Sequence, residues 1–543
     1  MTEKNPPLSV AREVKQKAET PSLWSRTTHT VKKAYNPGIV PLALPSAPVD
    51  DEKYSYVSMN RKVLVILDLV SALAISAAMW LFVKSGPAFY WYAGWAVIVF
   101  LFLFPCYGVT VLGSSFDLEA HKAILDKYSL SGKTAPTVDI YLPVCKEDSE
   151  VLANTWKYIQ RLRYPPGKVK VYVLDDGAEA RVRELAYSFG FEYFVRDDRP
   201  HLKKAGNIRW AFARTRGDYY AIFDADFCPR ADFLLETVPV ALADPRAAIV
   251  QTPQFFRSTP AQSWVEQGAG PAQEYFYRVV QTTRNTWEAA VCVGSNAIYR
   301  REALAAIGGA AAVDSSEDIY TGMQLVERGW RITYVPLVLA CGVCPATMRS
   351  YFAQQARWCS GTVTMLTKAS FWRSELSLLQ KGCYSLGFLY YVTTALGPFI
   401  NPLPGPLLLW VNPSLFFYYN MFFAIPSIFY ALVVMPLWAR SRYPFAVQYI
   451  QVIVAYACVS ALFESLLGLE DNWVPSGSNR KKKNNRYRNM RVLVWAWTIL
   501  HYGNLITAVT YRLLNGFPWV QIVPLLALDG FNLFVSHKFL LSL

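Results

Sequence analysis

The sequence is poor in charged residues for its length. Only 17% of its 543 residues are Asp, Glu, Lys or Arg, whereas a soluble protein of this size usually has about a quarter. Apolar residue types make up 53% of the chain and aromatic types 15%. This shortage of charge argues against a soluble globular protein and indicates an integral membrane protein.

The sequence also lacks the patterns of three other classes. No apolar segment follows Met1, so a secretory signal peptide is not indicated. The nine cysteines are scattered, which is typical of a reduced, cytosol-facing protein, and the pair Cys341 and Cys344 has no second pair to complete a zinc site. A net charge of +14 comes without a nucleic-acid-binding signature. We therefore expect no nucleic-acid partner, and expect Lys and Arg to collect on the cytoplasmic side or to attract anionic substrates and lipid head groups.

Long apolar segments stand at both ends of the chain. A helix needs about 20 residues to cross a bilayer, and six segments are predicted to do so: 63–83, 89–112, 383–410, 416–437, 491–514 and 517–538. Segment 444–468 contains Gln448, Gln451 and Glu464, so we interpret it as an interfacial amphipathic helix. About six crossings then leave both termini and the basic run 478–491 in the cytoplasm, as the distribution of Lys and Arg favours.

The middle of the chain alternates apolar strands with helical segments, which predicts a mostly parallel sheet covered by helices on both faces. Ligands bind at the carboxyl ends of the strands in such sheets. The predicted parts are a cytoplasmic N-terminal tail, two transmembrane helices, a cytoplasmic α/β domain with interface helices, and a C-terminal transmembrane region: 1–60, 61–114, 115–370 and 371–543.

Pairs of carboxylates follow two of the predicted strands. Asp224 and Asp226 come after the strand YYAIF, and Asp175 and Asp176 come after VKVYVL. Hard oxygen ligands of this kind suit Mg²⁺ or Mn²⁺ beside a nucleotide diphosphate, and Lys204 could add positive charge. The alternative is that both pairs lie in ordinary surface turns, since Asp-Gly favours turns.

Two later motifs each allow two interpretations. Glu317 and Asp318 begin a predicted helix, either as N-terminal caps or with a general base for an acceptor hydroxyl. Gln354, Arg357 and Trp358 lie on one helical face. They suit sugar hydroxyls, phosphate and a pyranose ring, but they equally suit a helix at the membrane interface.

In this order, the motifs DDG, DxD, ED and QxxRW resemble those of the processive family 2 glycosyltransferases, which include cellulose, chitin, hyaluronan and related β-glucan synthases. KAGN at 204–207, VQTPQFF at 250–256 and CVGSN at 292–296 are most similar to the stretches of cellulose synthases and their β-glucan relatives. The resemblance extends from about residue 60 to the end of the chain. It implies a GT-A-like α/β glycosyltransferase domain, with a mostly parallel sheet, inserted in an α-helical transmembrane domain that forms a channel.

The resemblance also implies a role for each motif. Asp175 and Asp176 would hold the uridine, Lys204 and Asp224 would contact the nucleotide, and Asp226 would bind Mg²⁺ or Mn²⁺. Asp318 would be the catalytic base, Gln354 and Arg357 would bind the diphosphate, and Trp358 would stack beneath the acceptor sugar. The segment 471–486 resembles a gating loop that closes over bound UDP, with Trp473 and Ser476 as its contacts.

The function implied is a membrane-embedded, processive, inverting β-glycosyltransferase of the plasma or inner membrane. It would polymerise glucose from UDP-glucose and export the glucan, whose linkage, 1,4, 1,3 or mixed, stays open, as does the oligomeric state. The alternatives are a chitin- or hyaluronan-type synthase with another UDP-sugar, a non-processive transferase with a lipid acceptor, and a transporter or scaffold with a decayed enzyme domain.

Overall fold

The computed structural model of the protein describes residues 44–57, 61–439, 444–467 and 485–542. A seven-stranded sheet lies at the centre of the middle region, with the strand order β3-β2-β1-β4-β8-β6-β9. Only β8 runs antiparallel to its neighbours β4 and β6, while the other pairs are parallel. A smaller sheet has the order β5-β10-β7. The strands are β1 (Val138–Val144), β2 (Val169–Asp175), β3 (Glu192–Phe194), β4 (Tyr219–Ile222), β5 (Cys228–Pro229), β6 (Ala247–Gln251), β7 (Phe255–Phe256), β8 (Ala297–Arg300), β9 (Arg331–Tyr334) and β10 (Ala340–Gly342).

Helices precede, cover and follow the sheet. Before it and within its domain are α1 (Asp50–Lys53), α2 (Arg61–Lys84), α3 (Tyr92–Leu112), α4 (Leu118–Lys127), α5 (Ser149–Ile159), α6 (Ala180–Ser188), α7 (Lys203–Arg214), α8 (Phe233–Ala243), α9 (Trp264–Tyr275), α10 (Gln281–Thr286), α11 (Arg301–Ala305), α12 (Glu317–Glu327), α13 (Met348–Thr367) and α14 (Ala369–Arg373). After it come α15 (Leu378–Ile400), α16 (Pro404–Val411), α17 (Ile425–Phe429), α18 (Met435–Ala439), α19 (Ala446–Leu466), α20 (Asn485–Leu514) and α21 (Trp519–Leu541).

The side chains of β1 explain why both faces of the sheet are covered. Ile140 and Leu142 point to one face, where they pack with Trp156 of α5. Tyr141 points to the other face, where it packs with Ile208 of α7. Because successive strand residues face opposite sides, a strand with apolar side chains on both faces needs a helical layer on each side. The predicted mostly parallel α/β fold is confirmed.

The sheet brings the conspicuous motifs to one edge. The parallel strands β2, β4 and β6 end there at Asp175, Ile222 and Gln251. Strand β8 runs the other way, so the segment 292–296 that precedes it reaches the same edge. This edge therefore contains the DDG, DxD, QTP and CVGSN stretches together.

Six helical segments of the described residues are long and apolar enough to cross a membrane: 63–84, 92–112, 418–439, 446–466, 486–514 and 519–541. The segment 418–439 is a succession of short helical pieces, namely the 3₁₀ helix Tyr418–Ala424, α17, a π-helical turn Tyr430–Val434 and α18. The prediction of a multi-pass membrane protein is confirmed.

The set of six differs from the predicted one at two places. The predicted crossing 383–410 is divided between α15 and α16, and neither helix belongs to the set. The segment 444–468, predicted to be an amphipathic interfacial helix, belongs to it as α19. Every residue from Ile453 to Cys458 is buried, because α9, α13, α15 and α21 all pack against α19. The amphipathic character that we expected is therefore wrong.

Residues 44–57 form a strap that is fastened to the α/β domain. Lys53 is buried and makes ion pairs with Asp232, at 2.8 Å, and with Glu236. Arg257 of the domain makes two hydrogen bonds, of 2.8 and 2.6 Å, to Glu52. This part of the predicted N-terminal tail is thus held against the α/β domain by buried charges.

Candidate active site

Asp175 and Asp176 both follow β2, but they have different partners. The carboxylate of Asp175 is fully buried and accepts hydrogen bonds from the backbone N–H of Gly177, at 2.6 Å, and of Glu179, at 2.9 Å. It also accepts one from Tyr193 Oη, at 2.7 Å. These bonds fix the turn after the strand, so in this structure Asp175 orders the edge on which the site is built.

Asp176 is held by an arginine that sequence reasoning missed. Arg196 is fully buried and donates from Nε and Nη2 to the two carboxylate oxygens of Asp176, at 2.7 and 2.8 Å. The same guanidinium donates to the carbonyls of His201 and Lys203. The available signal was Gly206 in the middle of α7, where a Cβ atom would collide with the Arg196 guanidinium.

Lys204 joins the DxD motif to the 292–296 segment. Its Nζ donates to Asp224 Oδ1 at 2.6 Å and to the carbonyl of Gly294 at 3.0 Å. Burial alone would lower the pKa of Lys204, but the charges of Asp224, Glu317 and Asp318 raise it above its usual value. KAGN and DxD, which were both predicted to contact the nucleotide, are therefore joined directly by Lys204, whose side chain is positively charged.

Asp226 is a carboxylate with nearby negative charge. Withdrawal from water, followed by the charge of Asp224, raises the pKa of Asp226 to about 7, and Glu147 contributes in the same direction. Within the described part of the chain, no three His, Cys, Asp or Glu side chains come together as a complete metal site. Mg²⁺ is commonly held by one or two carboxylates together with substrate phosphates. The donor set of Asp224 and Asp226 fits that arrangement.

Asp318 lies close to the same lysine. Burial, followed by the charge of Glu317, raises the pKa of Asp318 to about 7, while Lys204 opposes the rise. Its Oδ1 accepts a hydrogen bond from the backbone N–H of Ile319 at 2.9 Å. Gly294 lies directly against it, because a Cβ atom at Gly294 would be 3.1 Å from Asp318 Oδ2. A carboxylate whose pKa is near neutrality suits a general base.

The QxxRW helix, α13, is next to the base. Gly361 of α13 lies so close to Ser316, the residue before α12, that a Cβ atom there would collide with the serine hydroxyl. Gln354, Arg357 and Trp358 are half-buried. Within the described residues, Gln354 Oε1 is buried without a hydrogen-bond partner, as expected of a group that bonds a ligand.

Trp473 and Ser476 lie outside the described residues, so the gating-loop contacts stay a prediction. Helices α19 and α20, on either side of that segment, are joined by an ion pair between Glu464 and Arg486. Arg486 Nε also donates to Ser460 Oγ at 2.9 Å. The two helix ends that border the segment are therefore held together.

Residues 139–308 match the sequence profile described as glycosyl transferase family 2. The α/β domain is a family 2 glycosyltransferase domain. The matched residues contain DDG, DxD, QTP and CVGSN, whereas Asp318 and α13 lie beyond the match. With six candidate membrane helices before and after it, the predicted architecture of a GT-A-like domain inserted among membrane helices is confirmed.

The chain is related to the cellulose synthases. It is 34% identical over 266 residues to the cellulose synthase catalytic subunit (UDP-forming) of Pseudomonas fluorescens, a match that covers 47% of this chain and 35% of that protein. It is 29% identical over 385 residues to the putative cellulose synthase 2 of Komagataeibacter xylinus, which covers 68% of this chain and 25% of that protein. The chain thus spans about a third or less of the length of these two relatives.

Among solved structures, the chain is similar to a mannosyltransferase of Pyrobaculum calidifontis in complex with GDP-Man and Mn²⁺. The TM-score is 0.46 and the identity 16%, with 68% of this chain and 99% of that chain covered. A second similar structure is the glucosyl-3-phosphoglycerate synthase of Mycobacterium tuberculosis, with a TM-score of 0.28, 17% identity and coverage of 42% of this chain and 77% of that one.

Proposed function

We propose that the protein is a processive, inverting β-glycosyltransferase that polymerises glucose from UDP-glucose into a β-glucan and exports the chain across the membrane. The observation that carries the proposal is the convergence on Gly294. Lys204 bonds its carbonyl at 3.0 Å, and Asp318 lies so close that a Cβ atom at Gly294 would be 3.1 Å from Asp318 Oδ2. A cation that suits a diphosphate and a carboxylate that suits a hydroxyl thus meet at one glycine of a family 2 glycosyltransferase domain.

The proposed reaction is a single displacement at the anomeric carbon of glucose. Asp318 accepts the proton of the acceptor hydroxyl, whose oxygen forms the new bond to the anomeric carbon. The bond from that carbon to the diphosphate breaks, and UDP leaves with the electron pair. Attack from the side opposite the leaving group inverts the configuration, so an α-linked donor gives a β-linked product.

The other motif residues hold the two substrates in this proposal. Lys204 and Arg357 neutralise the diphosphate and Gln354 bonds it, while Trp358 supports the acceptor sugar. Asp224 and Asp226 hold a Mg²⁺ or Mn²⁺ ion, which when bound offsets the charge of the departing UDP. Asp176 is kept in position for the uridine by Arg196.

Processivity and export are supported by the position of the domain in the chain. The QxxRW helix packs along α19, which in turn packs against α15 and α21. An acceptor that rests on Trp358 would thus begin next to the helices that follow the domain. The relationship to proteins named cellulose synthases favours glucose as the polymerised sugar.

A donor panel tests the proposal. The purified full-length protein, in detergent with Mg²⁺ or Mn²⁺, is given UDP-glucose, UDP-GlcNAc or UDP-GlcA with a radiolabelled sugar. We expect polymer from UDP-glucose, together with stoichiometric UDP release. Polymer from UDP-GlcNAc alone would contradict the proposal and favour a chitin-type synthase, and UDP release without polymer would contradict processivity.

A further inference from the structure

Gln251 has a buried side-chain amide that the proposed mechanism does not use. It ends β6 and is 0% exposed. Its Nε2 donates to the carbonyls of Thr252, at 2.9 Å, and of Ser295, at 2.8 Å, and its Oε1 accepts from the backbone N–H of Val293 at 3.0 Å. Two amide protons and one carbonyl oxygen are all bonded, so the orientation of the amide is fixed.

The neighbours of Gln251 hold the same segment, residues 292–296, which we name the glycine loop. Thr252 donates from both its backbone N–H, at 3.1 Å, and its Oγ1, at 2.8 Å, to the carbonyl of Asn296. Gln254 Nε2 donates to the carbonyl of Val293 at 3.4 Å. The glycine loop is therefore held along most of its length by the QTPQ stretch.

The glycine loop in turn contacts three residues of the candidate site. The carbonyl of Gly294 accepts from Lys204 Nζ at 3.0 Å, and Ser295 Oγ accepts from the backbone N–H of Asp224 at 2.9 Å. Gly294 has a φ of +75°, and a Cβ atom at this position would lie only 3.0 Å from Cβ of Asp318. A shift of the glycine loop would move the Gly294 carbonyl that Lys204 bonds, and with it the backbone that lies against Asp318.

We propose that Gln251 is a positioning residue for glycosyl transfer. It acts through the glycine loop, which fixes the positions of Lys204, Asp224 and Asp318 relative to one another. The inference rests on the proposed transferase function. Its physical basis is that a buried polar group is fixed by its partners, and that an unpaired one destabilises the arrangement. A displacement of about 1 Å at a reacting centre can cost ~10²-fold in rate.

The chain offers a matched control in Gln281, which is also 0% exposed. Its amide bonds the backbone of Val291, donating to the carbonyl at 2.7 Å and accepting from the N–H at 2.9 Å. Gln281 thus holds the chain just before the glycine loop, and among the described residues its side-chain amide has no hydrogen bond to residues 292–296. Gln251→Leu and Gln281→Leu remove equally buried amides with different consequences for the site.

The experiment measures the rate of UDP release, the KM for UDP-glucose, the thermal midpoint and amide hydrogen exchange for both variants of the full-length protein. We expect Gln251→Leu to lower kcat by about 10- to 100-fold and to speed exchange across residues 292–296, with a changed acidic limb of the pH profile. Gln281→Leu should lower the thermal midpoint by a similar amount but keep kcat within about twofold. If the Leu variants do not fold, the isosteric Gln251→Glu and Gln281→Glu variants replace them with the same expected contrast.

Equal losses of kcat in the two variants, or a folded Gln251 variant with the turnover and the exchange of the wild type, would overturn the assignment. The exchange measurement is independent of activity. A wild-type protein that turns over no UDP-sugar would refute the proposed function, while faster exchange in the glycine loop of Gln251→Leu alone would still support the positioning role. Unchanged exchange would refute that role.

Discussion

At the scale of the residue, Asp318 has the ambiguity of every carboxylate in the first turn of a helix, which can be a cap or a reactant. Its raised pKa and its contact with Gly294 favour the base. We expect Asp318→Asn to lower turnover by about 10²- to 10⁴-fold, the usual contribution of a general base, and to leave UDP affinity nearly intact. Turnover and calorimetric UDP binding on the same preparation measure both. A variant with the turnover of the wild type would make Asp318 only a cap.

The pH dependence of turnover follows from the same carboxylate. The pKa of Asp318 is raised to about 7 by burial and then by Glu317, so the base is protonated and inactive below that pH. We expect kcat to fall as the pH drops through about 7. Glu317→Gln removes one cause of the rise and should move this acidic limb to lower pH. The control is Glu327→Gln at the other end of the same helix, which should leave the limb in place. If the acidic limb of the pH profile stays at the same pH in Glu317→Gln as in the wild type, the assignment of that limb to Asp318 would be contradicted.

Trp358 is the residue that decides between an acceptor platform and an interface anchor. We expect Trp358→Ala to reduce polymer yield far more than UDP release, because a misplaced acceptor lets water compete for the donor. Loss of alignment by about 1 Å can cost ~10²-fold. Polymer and UDP are quantified in the same reaction. Trp372→Ala is the control, since Trp372 is 55% exposed on the next helix. Normal polymer from the Trp358 variant would mean that the tryptophan only anchors the helix.

Sequence reasoning found the residues that stand at strand ends and missed the ones that hold them. Asp224 and Asp226 follow an apolar strand, and the fold rule for parallel sheets puts such residues at the ligand edge. Arg196 and Gln251 act on partners 20 and more than 40 positions away. Gly206 indicates only that some group approaches α7 closely. No local pattern identifies the partners of Arg196 or Gln251, which only the folding of the chain brings together.

At the scale of the element, the strap is an additional part of the glycosyltransferase domain. Although burial opposes it, hydrogen bonds from Arg230 and Lys53 lower the pKa of Asp232 to about 2. The stabilisation from this group is therefore fully present above the ordinary pKa of 3.8 and is lost as the pH falls toward about 2. The strap should hold the domain throughout the neutral range.

Lys53→Met tests this element. The change leaves Asp232 and Glu236 buried with one cation fewer, and the loss of one partner of a buried ion pair costs about 3–5 kcal/mol. We expect a clear drop in the thermal or denaturant midpoint of the purified protein. Lys122→Met, which breaks an exposed pair with Glu119, should change the midpoint little. Equal midpoints for the two variants would show that the strap does not contribute to stability.

The prediction that the helix at 444–468 is amphipathic failed because of packing between helices. Gln448, Gln451 and Glu464 in 444–468 suggested one polar face. In the folded chain α19 packs against five other described helices, and its middle, from Ile453 to Cys458, is buried. Periodicity along one helix cannot report how many neighbours it will have. Length and apolar content predicted five of the six long apolar helices among the described residues.

At the scale of the whole molecule, the architecture was predictable and the product was not. The sequence has alternating apolar strands and helices in its middle, with long apolar segments before and after them. This pattern predicted a GT-A-like domain among membrane helices, and the sheet order and the long apolar helices agree with it. The identity of the sugar and the linkage depend on the fit of a donor and an acceptor to side chains at one edge. That fit depends on the three-dimensional arrangement of these side chains around bound substrates, and the order of residues along the chain does not reveal it.

Processive and inverting polymerisation can be measured in the product that the purified protein makes from ¹³C-labelled UDP-glucose. Product size is followed from the first turnovers, and the anomeric configuration and linkage are determined by nuclear magnetic resonance. We expect long glucan chains in the β configuration while most of the donor is still unused. Single-sugar products or an α configuration would contradict it.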